Sequence, residues 1–332
     1  MTIRIGISGF GRIGRCVFRI ARRRSNMEIV AINDLGNTET LAHLIRHDSA
    51  HGNLRGTVRT EGEKMWVDDK EIAMLKQADP ASIPWGELGV DVVVEATGLF
   101  RKQEQLHKHI AAGARKVVLT APLKGPGRTI VLGVNEVDYD PETDEIVSCA
   151  SCTTNCMAPI TKVLGEKYGI AAGLMSTVHA YTNDQRLLDS AHSDLRRARA
   201  AALSIVPTTT GAAKAVSLVS PEFEGLFSGL AFRVPVPVVS VLDLVVQLET
   251  AAAAEEVNRA LKEAAQGELE GILSYTESPI VSCDITGNPH SSIVDSLLTM
   301  SVGNLVKVVS WYDNEWGYAS RVADMVGLIG RR

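Results

Sequence analysis

Two stretches of the 332-residue chain combine residue types that can do chemistry. The first is Ser148-Cys149-Ala150-Ser151-Cys152-Thr153-Thr154-Asn155-Cys156, three thiols set among hydroxyls and followed by residues of helical character from Met157 on. A helix beginning within or just after this cluster would aim its first unpaired N–H groups back at Cys152, a position that favours a nucleophilic thiolate at neutral pH. Downstream, His179 stands near the end of a strand-like run over 173–182, beside Thr182-Asn183-Asp184, and is favoured among the eight histidines as the base. The second stretch is Gly9-Phe10-Gly11-Arg12-Ile13-Gly14, between an apolar strand-like run and the helical spacing of Val17, Phe18 and Ile20. In that context G-x-G-x-x-G reads as a dinucleotide-binding turn. Asp34 closes the next apolar run about 20 residues later, where an acid can take both adenosine ribose hydroxyls. Its charge would oppose a 2′-phosphate, so NAD is favoured over NADP.

Two further segments suggest anion binding. Thr208-Thr209-Thr210-Gly211-Ala212-Ala213-Lys214 offers hydroxyls, a glycine backbone and a lysine ahead of a helix, and Arg233 interrupts an otherwise apolar run. A plain helix cap and a snorkelling arginine at a sheet rim account for them equally well at this level. Cys149 and Cys152 have C-x-x-C spacing, but Cys16 and Cys283 supply no second pair, so no metal is expected.

The elements that must position these residues follow from periodicity. Apolar runs at 3–8, 28–33, 90–98, 116–122 and 129–134, with a helical segment at 102–112 stopped by Gly113, alternate as a doubly wound parallel sheet requires. Ligands in that architecture lie beyond the carboxyl ends of the strands, so Asp34, Thr97, Gly98 and Thr120 should line one crevice. A polar meander occupies 52–83. After a helix to about Tyr168, strand-like runs at 232–248, 279–285, 292–302 and 305–311 and one helix at 254–265 predict a mainly antiparallel sheet. The expected fold class is α/β: a Rossmann-type doubly wound domain over 1–150, an α+β catalytic domain over 151–315, and a last helix over about 316–332 packing back on the first. The polar segment 183–205 is long enough to be functional or buried at an interface.

Composition excludes several classes. With 45% apolar and 22% charged residues the chain is globular, and a net charge of −5 argues against nucleic acid as a primary partner. The run Arg22-Arg23-Arg24 reads as cations at a helix C-terminus. No apolar segment approaches the ~20 residues of a membrane span, and the start shows no signal-peptide pattern. Five cysteines without a disulfide framework suit a reducing compartment, so a cytoplasmic location is expected.

Over essentially its whole length the chain resembles phosphorylating glyceraldehyde-3-phosphate dehydrogenases. The resemblance rests on Gly9-Phe10-Gly11-Arg12-Ile13-Gly14-Arg15, Ser151-Cys152-Thr153-Thr154-Asn155, His179-Ala180-Tyr181-Thr182-Asn183-Asp184-Gln185, Asp194-Leu195-Arg196-Arg197-Ala198-Arg199, Thr208 to Lys214 and Trp311-Tyr312-Asp313-Asn314-Glu315. It implies a homotetramer acting on glyceraldehyde 3-phosphate and inorganic phosphate, with Cys152 as nucleophile and His179 as acid and base. It also implies one phosphate subsite at Thr182 and Arg233, a second at Ser151, Thr153, Arg197, Thr210 and Gly211, and cofactor contacts at Arg12, Ile13, Asp34, Thr120 and Asn314 with Thr97 and Gly98 nearby. An erythrose-4-phosphate dehydrogenase of the same build is the alternative. Three positions depart from the family pattern: Cys149 replaces the usual Asn, which raises oxidation between Cys149 and Cys152, and Ser8 replaces another Asn. Ser190-Ala191 replaces the Leu-Pro of NAD-specific members, which leaves NADP tolerance open.

Overall fold

The computed structural model describes residues 2–331. They form two compact units, one of residues up to Ile130 with Val137–Ala150 and the chain from Ala319 on, the other of Val131–Glu136 with Ser151–Tyr318.

In the first unit β1 (Ile3–Ser8), α1 (Arg12–Ala21) and β2 (Met27–Asn33) form the strand, turn, helix, strand unit expected from the glycines. Then come α2 (Thr38–Arg46), the meander β3 (Val58–Glu61), β4 (Lys64–Val67) and β5 (Lys70–Leu75), and β6 (Val92–Glu95), α3 (Gln103–Ala111), β7 (Lys116–Leu119), β8 (Arg128–Thr129) and β9 (Ile146–Ser148). The strand order is β3-β4-β5-β2-β1-β6-β7-β9-β8. All pairs are parallel except β3 with β4 and β4 with β5. Strands buried on both faces read as continuous apolar runs, and Ile5, Ile7, Ile32, Val93 and Val118 are all fully enclosed. The winding reverses between β1 and β6, the switch point at which such sheets bind ligands.

The expected strand over 129–134 is shorter. Only Arg128–Thr129 pairs, because the Asn135 side chain accepts from the Val131 amide at 2.9 Å and turns the chain locally.

The second unit opens with α4 (Cys152–Tyr168) and β10 (Ile170–Ala180), continues through β11 (Val206–Thr209), α5 (Ala212–Val216), β12 (Phe227–Val234), β13 (Ser240–Leu248), α6 (Ala254–Ala265) and β14 (Leu273–Thr276), and closes its sheet with β15 (Ser292–Asp295), β16 (Met300–Val302) and β17 (Leu305–Tyr312). The order is β11-β12-β10-β13-β17-β15-β14, with β16 paired to β17. It is mixed but mainly antiparallel, since only β10 with β12 and β14 with β15 run parallel. Helix α4 packs on β13, β15 and β17. Buried Met157, Ile160, Leu242, Leu244 and Val308 belong to this core.

Here too some expected strands differ. The run over 279–285 is no strand, because Asp284 caps the Val281 amide at 2.9 Å and starts a 3-10 turn over Ser282–Ile285. The run 232–248 is two strands with a break at 235–239, and 292–302 is interrupted by a turn at Ser296–Leu298. Finally, α7 (Trp316–Ile329) carries Asp324, which pairs with Arg24 at 2.6 Å and with Arg321 at 2.7 Å.

Candidate active site

Cys152 is the first residue of α4. Ala150, at φ +55 in the left-handed region, bends the chain into the helix, and Ser151 caps it by accepting from the Thr154 amide at 3.1 Å. The backbone amides of Cys152 and Thr153, among the orphan N–H groups of the first turn, donate toward the Cys152 sulfur. In the parallel pair β10 and β12, His179 stands directly opposite Arg233. The same strand end brings His179 Nε2 to 3.5 Å from Cys152 Sγ.

His179 Nδ1 lies 2.7 Å from the Ala180 carbonyl oxygen; with the ring proton on Nδ1 it donates there and leaves Nε2 to accept the thiol proton. Arg233 Nη1 donates to the same carbonyl at 3.0 Å and abuts Nδ1. Burial pushes the Cys152 thiol up from its ordinary value, opposed by Arg233 and by hydrogen bonds from Thr153 and the backbone amides. Burial, and after it Arg233, pushes His179 down to about 3. At the sulfur, burial works against the helix terminus, Arg233 and the Thr153 hydrogen bonds. Proton transfer from Sγ to Nε2 creates two charges of opposite sign while leaving the net charge of the pair unchanged.

The other two clustered thiols are closed off. Cys149 and Cys156 are fully buried, whereas Cys152 keeps part of its surface open. Burial raises the Cys149 thiol far above its usual value and pushes Cys156 up to about 12, which makes both poor nucleophiles.

Around this pair the anion-binding candidates are unevenly disposed. Arg197 reaches the Thr209 carbonyl at 3.4 Å, next to Thr210 and Gly211, and is paired with Asp184 and, at 3.4 Å, with Asp194. The Thr182 amide donates to Gln185 at 3.3 Å. The two hydroxyls beside the nucleophile are already engaged: Ser151 as the cap, and Thr153 with the Tyr312 hydroxyl at 2.8 Å and with the Cys152 sulfur. Thr153 therefore offers an incoming anion its backbone rather than its side chain.

The first unit has its own constellation. Gly9 has φ +91, and a Cβ there would fall 2.6 Å from the Thr97 amide nitrogen, while a Cβ on Gly14 would fall 2.1 Å from the Gly9 carbonyl. These two glycines serve the tight turn and the close approach of helix to strand. Gly11 has nothing within 4 Å of its Cβ position, and no side chain caps α1 there. That opening at a helix N-terminus fits the pyrophosphate of a dinucleotide. Asp34 accepts the Phe10 amide at 2.7 Å and the Gly36 amide at 2.8 Å, so its carboxylate faces the glycine turn with lone pairs to spare for ribose hydroxyls. Thr97, Gly98 and Thr120 follow the carboxyl ends of β6 and β7, and the Thr120 hydroxyl donates to the Glu95 carbonyl at 3.1 Å.

Ile13 and Arg12 open α1, but the Arg12 guanidinium is engaged by Asp48 at 2.5 Å, leaving its amide toward the turn. Burial alone would raise Asp48, but the His51 amide, Arg12 and the Ala50 amide outweigh it and hold the carboxyl down at about 2. Asn314, just past β17, accepts from Ser240 at 3.1 Å.

Comparison with known proteins decides the affiliation. The glyceraldehyde 3-phosphate dehydrogenase NAD binding domain matches residues 3–103, and the C-terminal domain of the same enzymes matches 151–314. The chain belongs to the glyceraldehyde-3-phosphate dehydrogenase family. It is similar to the glyceraldehyde-3-phosphate dehydrogenase of Geobacillus stearothermophilus, with 56% identity over 100% of this chain and 99% of that one. To its counterpart in Streptomyces coelicolor the identity is 55% over 100% of both chains, and to glyceraldehyde-3-phosphate dehydrogenase 1 of Bacillus subtilis it is 53% over 100% and 99%. As a member of this family the protein is an NAD-dependent oxidoreductase of aldehydes.

Sequence reasoning missed Tyr312 and Ser240 as site residues, and Glu95, whose buried carboxylate accepts the Thr97 amide at 2.8 Å and His109 at 3.0 Å. A signal existed for Ser240. It is the one polar side chain among the inward positions Leu242, Leu244, Val246 and Leu248 of its strand.

Proposed function

We propose that the protein oxidises glyceraldehyde 3-phosphate with NAD and inorganic phosphate to 1,3-bisphosphoglycerate. The observation that carries this reading is the approach of Cys152 Sγ to His179 Nε2 at 3.5 Å with Arg233 against the imidazole. His179 takes the thiol proton, and the thiolate adds to the aldehyde carbon to give a hemithioacetal, whose oxygen is protonated by the imidazolium. NAD, when bound, supplies the hydride acceptor. As the hydride leaves, His179 Nε2 removes the proton of the hemithioacetal hydroxyl, and a thioester on Cys152 results. A phosphate oxygen then attacks the thioester carbon, the C–S bond breaks, and Cys152 leaves as thiolate with release of the acyl phosphate. General acid and base action by His179 is worth ~10²–10⁴ in rate.

Arg233 with Thr182 forms one phosphate subsite, and Arg197 with Thr210, Gly211, Ser151 and Thr153 the other. Arg197 must exchange a carboxylate partner for phosphate, a step favoured by the greater charge of the ligand. Gly9, Gly11, Arg12, Ile13, Gly14, Asp34, Thr97, Gly98 and Thr120 serve the cofactor, with Asn314 assigned by family resemblance. A homotetramer is supported by the exposed Leu187, Leu188, Leu195, Leu203 and Ile205 within the 183–205 segment, since exposed apolar clusters mark interfaces. Among the described residues no disulfide joins any of the five cysteines, which favours a cytoplasmic location, and no helix is long and apolar enough to cross a membrane.

The test is NADH formation from glyceraldehyde 3-phosphate and phosphate, run in parallel with NADP and with erythrose 4-phosphate. The proposal expects the highest kcat/KM for glyceraldehyde 3-phosphate with NAD. Higher efficiency with the four-carbon sugar, or with NADP, overturns the substrate or coenzyme assignment respectively.

A further inference from the structure

Ser240 and Val239 belong to no motif, yet they sit where the base and Asn314 meet. Val239 is buried and β-branched but adopts φ +72, a conformation such residues avoid and keep only where the surrounding structure imposes it. That bend starts β13 and sets Ser240, itself buried, opposite Tyr312. The Ala180 amide donates to Ser240 Oγ at 3.1 Å. A backbone N–H can only donate, so the serine oxygen accepts there and its single hydrogen is free for another partner. That partner is Asn314 Oδ1, at 3.1 Å. The opposite amide orientation would turn NH2 toward the hydroxyl and strand a buried O–H, so the hydroxyl selects one orientation of the carboxamide and directs its Nδ2 donors away from the serine.

The same peptide serves the base. The Ala180 N–H holds Ser240, while the Ala180 carbonyl accepts from His179 Nδ1 at 2.7 Å, and His179 Nε2 faces Cys152. One hydrogen-bonded chain thus runs from Asn314 through Ser240 and Ala180 to the residue that moves protons. Hydride transfer requires the nicotinamide end of the cofactor at that residue, so the group Asn314 meets belongs to the nicotinamide end.

We propose that Ser240, held by the strained turn at Val239, is a positioning residue that fixes the Asn314 carboxamide so that Nδ2 donates to an acceptor at the nicotinamide end of NAD. This rests on the proposed function, which assigns Asn314 to the cofactor. The test is NAD binding to the cofactor-free protein, followed by quenching of its tryptophan fluorescence, in wild type, Ser240→Ala, Asn314→Ala and the double variant. Loss of one oriented hydrogen bond weakens binding by about tenfold. Ser240→Ala should therefore raise the NAD dissociation constant about tenfold, raise KM for NAD, and leave KM for glyceraldehyde 3-phosphate unchanged. The double variant should bind no more weakly than Asn314→Ala alone, because the serine acts through the asparagine.

Wild-type affinity in Ser240→Ala, or losses that simply add in the double variant, overturns the proposal. If the alanine variant does not fold, Ser240→Cys, whose thiol is too weak a donor to orient the amide, takes its place with the same two criteria. Absence of NAD binding in the wild type would instead sink the proposed function, which keeps the two failures distinct.

Discussion

At the scale of residues, the site is a contest between burial and compensation. A helix start next to a cysteine favours a thiolate, while enclosure of the sulfur raises the Cys152 thiol, and enclosure together with Arg233 pushes the His179 imidazole down. Transfer of the proton across the 3.5 Å between them separates the two charges. The imidazolium is then the nearest cation stabilising the thiolate, so removing it must make ionisation harder. In His179→Asn, the curve of iodoacetamide alkylation rate of Cys152 against pH is expected to move to higher pH by about one unit, with kcat lowered ~10²–10⁴-fold. An unchanged alkylation curve would show that His179 does not support the thiolate. Arg233 acts in both directions, lowering the thiol and lowering the imidazole, so its removal should disturb substrate KM more than thiol reactivity.

At the scale of elements, the glycine turn separates two roles that one motif confounds. Gly14→Ala places a Cβ 2.1 Å from the Gly9 carbonyl, which forces α1 away from β1, and a loss of about 1–3 kcal/mol in unfolding free energy is expected by denaturant titration. Gly11→Ala meets nothing within 4 Å, so its stability should stay within about 0.5 kcal/mol of wild type while NAD binding weakens. Intact NAD affinity in Gly11→Ala would mean that the cofactor backbone does not approach that residue. The parallel sheet around this turn was legible because its strands are buried on both faces and bounded by glycines. The Cys152 helix was legible because Ser151 caps it and Gly169 stops it.

Misreadings came where side chains competed with the ladder. Asn135 folds the chain back after Thr129, and Asp284 turns an apolar run into a 3-10 helix, neither of which hydrophobic periodicity records. The contact of Ser240 with Asn314 was illegible for another reason. It joins residues 74 apart in sequence, brought together by strands that are neighbours only in space.

At the scale of the whole molecule, the chain leaves large apolar side chains in water along one segment. Leu187 is 78% exposed and Leu203 82%, in a stretch whose local order comes from ion pairs such as Arg199 with Asp189 at 2.9 Å. A second copy would cover them, so Leu203→Asp is expected to lower the mass seen by sedimentation equilibrium below that of a tetramer. A wild-type protein that sediments as a monomer contradicts the assembly. The central claim, that Cys152 carries the acyl group between aldehyde and phosphate, is tested most directly by rapid mixing of enzyme and NAD with glyceraldehyde 3-phosphate in the absence of phosphate. The account predicts a burst of about one NADH per subunit that then stops, resumes on addition of phosphate, and is absent in Cys152→Ser. Continuous NADH formation without phosphate, or a burst that survives Cys152→Ser, would contradict it.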